Sequence, residues 1–248
     1  MILEIIFVAV LGISIGSFLN VVIYRVPKGK SIILPSSHCP KCQVKLKFYH
    51  NIPIFSWFFL RGRCSFCNSQ ISIQYPIIEA ITGLIFVTLY FKYGISYELL
   101  LVSAIFSVLL ALSIIDLKYK AVPDSLNLLA LTLAIIYPLE ITAILQNLEQ
   151  ALIFGGAFAF LRFYVSYFVG REAMGEGDIM IAGTIGAILG IYLGTFTIFL
   201  SSILTIPAIL IFKEREMPFI PFLALALWIV FISESTVIQI LNSIFNII

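Results

Sequence analysis

The sequence predicts an all-α polytopic membrane protein: about eight transmembrane helices, the N-terminus outside, and a small cytoplasmic loop domain after the first span. Three observations predict it. Hydrophobic residues make up 61% of the 248-residue chain and charged residues 11%, with a mean hydropathy of +1.09, whereas soluble domains run near ~45–50% apolar and ~25% charged. The apolar runs are too long and too closely spaced for a water-soluble core. The basic residues fall almost wholly into four polar stretches between those runs.

Residues 1–24 form the first span. Glu4 is its one charge, and Arg25, Lys28, Lys30, Lys41, Lys45, Lys47, Arg61 and Arg63 follow in a stretch, 25–75, that contains no Asp or Glu. The positive-inside rule makes that stretch cytoplasmic. Basic residues follow the apolar run rather than precede it, the reverse of a cleavable signal peptide, so the N-terminus is expected outside. Further spans read as 76–92, 97–115, 125–138, 149–169, 179–193, 195–212 and 218–236. The run 179–212 is uncharged; as one helix it would reach about 51 Å at ~1.5 Å per residue, too long for a core of ~30 Å. A break is expected between Gly190 and Thr195. Gly186, Gly190 and Gly194 recur at a four-residue spacing that permits close helix packing. The loops 116–124, 170–178 and 213–217 then join 25–75 on the cytoplasmic side, and these four hold every Lys and Arg except Lys92 and Arg162. The apolar segment after Glu234 fits either an interfacial helix or the tail of the last span. There is no phosphate-cradling glycine loop; no nucleic-acid partner is expected, and the basic stretch is read as lying against anionic lipid.

All four cysteines lie in that stretch as Cys39-x2-Cys42 and Cys64-x2-Cys67. A Cys-x2-Cys turn points two thiolates at one ion, and two such turns complete a tetrahedral site in a cytosol that disfavours disulfides. Zinc in a structural role is the expected ligand; unligated thiols or a redox pair are the competing reading. A four-thiolate site has no open position for hydrolysis. His38 and His50 read as polar surface residues.

Acidic residues at membrane level are costly and default to functional candidates. Asp116 ends the third span in Ser-Ile-Ile-Asp-Leu-Lys, and Asp178 opens the sixth in Met-Gly-Glu-Gly-Asp. Both fall at cytoplasmic helix ends, where packing can bring the carboxylates together as an aspartic dyad sharing one proton. Plainer readings stand beside it: Asp178 as a helix cap, and Asp116 as an interfacial charge paired with Lys118 or Lys120. Asp124, following Pro123, is the better capping candidate. Gly175 and Gly177 permit a tight turn and close backbone approach. A zinc-stabilised transporter or assembly scaffold with ion-relay aspartates is the alternative from another class, although relay carboxylates usually lie near the midplane.

Taken together, Gly16-Ser17-Phe18-Leu19-Asn20-Val21-Val22-Ile23-Tyr24-Arg25, Cys39-Pro40-x-Cys42, Asn51-Ile52-Pro53, Arg61-Gly62-x-Cys64-x2-Cys67, Tyr75-Pro76-x2-Glu79, Asp116-x6-Pro123-Asp124, Met174-Gly175-x-Gly177-Asp178 and Pro218-Phe219-x-Pro221-Phe222 closely resemble the bacterial type IV prepilin peptidases. The resemblance implies a metal-independent GxGD-type membrane aspartic endopeptidase with Asp116 and Asp178 as catalytic pair. Its substrates would be type IV prepilins or type II secretion pseudopilins. It would remove their short basic leader at the cytoplasmic face of the inner membrane, cutting after a glycine. Family forms with the cysteine loop typically also methylate the new N-terminal amine with S-adenosylmethionine; the loop carries no methyl-donor fingerprint, and the resemblance assigns no residues to that step. The division implied is 1–24 first span, 25–75 zinc loop and methyl-transfer region, 76–248 peptidase bundle. Glu172, Glu176 and Asp124 are the acids placed to meet a basic leader. Met180 stands where the family often has lysine, and Ile220 where it commonly has glycine.

Overall fold

The computed structural model describes residues 1–170, 172, 174–212 and 217–245. The basic residues of the predicted loop 213–217, Lys213 and Arg215, lie outside the described residues, as does Arg171. Among those described the chain is helical, with only two isolated antiparallel bridges, His38 with Lys45 and Arg63 with Gln70. Five helices are long and apolar enough to cross a bilayer: Ile2–Lys28, Gln74–Tyr93, Tyr97–Tyr119, Ile141–Val169 and Glu176–Phe212. Ile220–Ile232 and Glu234–Ser243 make a sixth if they count as one span, and Asp124–Ile136 is a shorter apolar helix.

The chain divides into two compact units, Met1–Ser103 and Ala104–Ile248. In the first, α1 (Ile2–Arg25) packs along α3 (Gln74–Tyr93), with the loop and its short α2 (Phe55–Phe59) between them in sequence. Glycines set the approach. A Cβ on Gly12 would stand 2.8 Å from Phe86, one on Gly16 2.7 Å from the Glu79 Cα, and one on Gly83 2.7 Å from Ile13. At one end of this seam the Tyr90 hydroxyl donates to Glu4. At the other, Arg25 is almost buried and donates to the carbonyls of Ser31 (2.9 Å) and Pro35 (2.7 Å). The sequence counts Arg25 as loop charge; in the fold it ties the start of the loop to the helix end.

The second unit holds the rest of α4 (Tyr97–Tyr119), then α5 (Asp124–Ile136), α6 (Ile141–Val169), α7 (Glu176–Phe212), α8 (Ile220–Ile232) and α9 (Glu234–Phe245). α7 is central, packed by α5, α6 and α8, and Phe106 of α4 sets its ring edge-on to Trp228 of α8 at 4.8 Å. The helical path of α7 breaks at Gly190, whose φ of 68° and ψ of −172° suit glycine alone, where the length argument requires an interruption. The three evenly spaced glycines thus do different things. Phe154 of α6 fills the space over Gly186 and Gly194, where a Cβ would meet its ring at 2.7 Å in each case, while nothing approaches Gly190 within 4 Å.

Gly186→Leu should therefore lower the thermal unfolding midpoint in detergent. Its Cβ would also stand 2.6 Å from the Gln150 carbonyl oxygen, a backbone atom with nowhere to go, and overpacking of this kind costs about 1–3 kcal/mol. Gly156→Leu on α6, which meets nothing within 4 Å, should leave the midpoint unchanged.

The C-terminal segment is a separate helix bent by 86° from α8, not a straight continuation of the last span. Val237 packs with Leu193 and Val230, and Ile238 and Leu241 flank them, so one face of α9 is committed to the body of the unit.

Candidate active site and cysteine loop

Asp116 lies in the last turn of α4 and is 7% exposed. The backbone N–H of Ile220 donates to its Oδ2 at 3.3 Å. Ile220 is the first residue of α8, with Pro221 next, so an otherwise unsatisfied helix N-terminal amide and the positive end of the α8 dipole face the carboxylate. Asp178 stands in the first turn of α7 and accepts the Gly175 N–H at 3.2 Å. The capping reading of Asp178 is thereby realised in part, and this bond orients the carboxylate.

Ile220 links the two aspartates. Its amide serves Asp116, while its side chain lies against the backbone of Gly177, where a Cβ would stand 3.4 Å from Ile220 Cδ1, 3.3 Å from Val122 and 3.2 Å from the Asn127 amide. A side chain at Gly177 would press these neighbours back by a few tenths of an ångström, and Gly177 carries Asp178 as its neighbour. The Asp116 carboxylate acts electrostatically on that of Asp178. Two helix-borne carboxyl groups of this unit thus each have one oxygen held by a backbone amide and lie close enough for the charge of one to act on the other. Asn127 is a residue that sequence reasoning missed: it is fully buried with neither amide atom partnered, and an asparagine inside an apolar helix gives no local sign of it.

Asp124 is corrected by the structure. It is the first residue of α5, Pro123 occupies the N-cap, and no side-chain capping bond forms; its charge still favours the helix dipole. Glu172 and Glu176 share a partner that the sequence did not reveal. Arg162 of α6 reaches Glu176 at 3.0 Å and Glu172 at 3.6 Å, an ion-pair group beside the Gly175–Asp178 turn. Met180 contributes its carbonyl to the Thr184 hydroxyl at 2.9 Å.

In the other unit the four cysteine Sγ atoms all lie within 4.8 Å of one another, and Cys39 and Cys67 are 3.8 Å apart. Four sulfurs at ~2.3 Å around one ion would stand about 3.8 Å apart, so the cluster fits a tetrahedral metal centre. Each pair sits in the same turn. The Cys39 N–H donates to Val44 and the Gln43 N–H back to Cys39; the Cys64 N–H donates to Ser69 and the Asn68 N–H back to Cys64. Gln43 and Asn68, each following the second cysteine, take left-handed φ values of 59° and 55°. Burial works to raise the Cys39 thiol, yet the amides of Cys42 and Lys41 and the Ser69 hydroxyl hold it down to about 6. The Val44 amide favours a Cys42 thiolate, but burial and the thiols of Cys39 and Cys67 push Cys42 up to about 11. A cation among the sulfurs would stabilise all four as thiolates. His50 bridges to the Ser65 hydroxyl at 3.3 Å and His38 to the Ser36 carbonyl at 3.0 Å; neither joins the cluster.

The sequence model of the Bacterial Peptidase A24 N-terminal domain matches residues 10–93, and that of the Type IV leader peptidase family matches residues 103–210. The prepilin leader peptidase/N-methyltransferase of Neisseria gonorrhoeae is 34% identical over 263 residues, covering 94% of this chain and 92% of the relative. That of Pseudomonas putida is 32% identical over 254 residues, covering 89% and 87%. The protein of the same name from Myxococcus xanthus is 40% identical over 191 residues, covering 74% of this chain but 56% of the relative. No solved structure matches.

Proposed function

The chain belongs to the type IV leader peptidase family, and we propose that it is a prepilin leader peptidase/N-methyltransferase of the bacterial inner membrane. The observation that carries the proposal is that Ile220 donates to Asp116 and packs against Gly177, the neighbour of Asp178; both aspartates lie within the residues 103–210 that the peptidase family matches. One carboxyl is ionised and takes a proton from water, and the other is protonated and polarises the scissile carbonyl. The amides of Ile220 and Gly175 each fix one carboxyl oxygen, which leaves the second oxygen of each group for the water and the carbonyl. Family membership replaces the transporter or scaffold reading.

The chain is proposed to cross the membrane eight times, taking α7 as two spans divided at Gly190 and counting α5. At ~1.5 Å per residue α5 reaches about 20 Å, and its packing against α6 and α7 supports a short crossing shielded from lipid. The basic stretches put the N-terminus outside and the peptidase site at the cytoplasmic face. Cys39, Cys42, Cys64 and Cys67 would hold a structural zinc, and residues 25–75 would serve methyl transfer from S-adenosylmethionine, a co-substrate; residues 76–248 would form the peptidase bundle. The substrates are prepilins or type II secretion pseudopilins. Incubation of the purified protein with a prepilin and the methyl donor, followed by mass spectrometry, tests the proposal: loss of the leader and gain of one methyl are expected, and an intact prepilin would overturn it.

A basic leader would compete with Arg162 for the carboxylates of Glu172 and Glu176. Glu172→Gln with Glu176→Gln should raise KM for a basic leader by about two- to fivefold, the scale of exposed ion pairs. The same pair of changes should leave KM for a charge-neutralised leader unaltered. Equal shifts for both leaders would remove these acids from leader recognition.

A further inference from the structure

The first unit contains a second helix-borne carboxylate built like Asp116. Glu79, in the second turn of α3, is 6% exposed. The N–H of Ile54, the residue preceding α2, donates to its Oε2 at 2.6 Å, as that of Ile220 donates to Asp116. The Ser17 hydroxyl, also from α1, favours its charged form. Ile54 holds φ 63° and ψ −57°, which a β-branched residue rarely adopts, so the bond secures a strained residue directly over the carboxylate. Among the described residues no lysine or arginine pairs with Glu79. Arg25, the first basic residue along α1, is occupied by the carbonyls of Ser31 and Pro35.

On the same α1–α3 seam stands Asn20, bonded to Tyr75, one turn before Glu79 on α3. Gly16 brings the α1 backbone onto Glu79, and Asn20 is one turn further along α1, 3% exposed. Its Nδ2 donates to the carbonyls of Gly16 and Tyr75, each at 3.2 Å, and its Oδ1 is buried with no partner. A buried acceptor left unpaired and a carboxylate left without a cation are both costly. Along one seam they make a site with negative charge, spare acceptors and no spare donor. A compact group with several N–H donors and a positive charge satisfies it, which describes a primary ammonium.

We propose that Glu79 and Asn20 hold the new N-terminal amine of the cleaved pilin for methyl transfer. The inference rests on the N-methyltransferase reading above and extends that activity beyond the cysteine loop to α1 and α3. The ammonium docks its N–H groups on Glu79 and on Asn20 Oδ1, and Glu79 takes one proton, which passes to solvent. The freed nitrogen lone pair attacks the methyl carbon of the sulfonium co-substrate. The N–C bond forms as the C–S bond breaks, and the C–S electron pair stays on sulfur; the products are a secondary ammonium and a neutral thioether.

The test is made on the full-length zinc-loaded protein in detergent, with no methyl donor present. Binding of a mature-pilin peptide with a free N-terminal amine is compared with that of the same peptide N-acetylated. The wild type should prefer the free amine by about tenfold or more, the scale of one charge-assisted hydrogen bond. Glu79→Gln should lose that preference with zinc content and unfolding midpoint unchanged. Asn20→Ala, which leaves the Ile54 bond intact, should lose part of it and serves if Glu79→Gln does not fold. Methyl transfer to a pre-cleaved pilin by the wild type, with an undiminished amine preference in both variants or in Asn20→Ala alone, overturns this inference. No methyl transfer by the wild type overturns the parent reading and this one with it.

Discussion

Asp116→Asn or Asp178→Asn, each made alone, should lower leader cleavage by at least about 10³-fold, the range lost when a positioned acid or base is removed. Either protein should still insert, fold and bind zinc. The side-chain oxygen of an asparagine at 116 can still accept the Ile220 amide, and one at 178 the Gly175 amide, so local geometry is retained while the titrating group is lost. With one carboxyl gone, no proton can be shared between the pair, and water activation and carbonyl polarisation can no longer be divided between two groups. Each variant is assayed for cleavage of a prepilin, for zinc content and for its unfolding midpoint. Substantial cleavage by either variant, folded, would remove that aspartate from the catalytic pair.

Paired Cys→Ser changes at Cys39 and Cys42, or at Cys64 and Cys67, should release the metal and abolish methyl transfer to a pre-cleaved pilin, while cleavage falls much less. Among the described residues no backbone bond joins the Cys39–Cys42 turn to the Cys64–Cys67 turn, so an ion among the four sulfurs would be their principal cross-link. Metal affinity in such a site is local folding energy. Asp116 and Asp178 belong to the other compact unit, which holds their amide partners as well. Zinc measurement, methyl transfer and cleavage on the same preparations give the answer, and a chelator should reproduce the cysteine variants. Complete loss of cleavage together with zinc, in a protein still inserted and folded, would show that the two activities are not separable in this way.

The expected separation has a basis in how the information is written along the chain. Cys39-x2-Cys42 and Cys64-x2-Cys67 announce a metal loop because the ligands of each turn are neighbours in sequence. The helices announce themselves because hydrophobicity accumulates locally, and the break in 179–212 is legible because a single helix of that length does not fit a bilayer. Gly190 takes the left-handed conformation within the segment where length alone requires a turn. By contrast, Gly186, Gly190 and Gly194 look alike in sequence, and only Phe154, from another helix, separates the two that admit a ring from the one that ends a helix.

The sequence by itself determined the membrane class, the cysteine loop and the two aspartates as the acids that call for explanation, since each follows from residue type, spacing or hydropathy within a short window. Tertiary structure alone decided what those acids meet. Ile220 reaches Asp116 across 104 residues, Arg162 finds Glu172 and Glu176 from the preceding helix, Ile54 reaches Glu79 from a loop, and Asn20 reaches the Tyr75 carbonyl from a different helix. Such partners are chosen by helix packing at glycine contacts, and pairwise contacts between distant segments leave no periodic trace in a single chain.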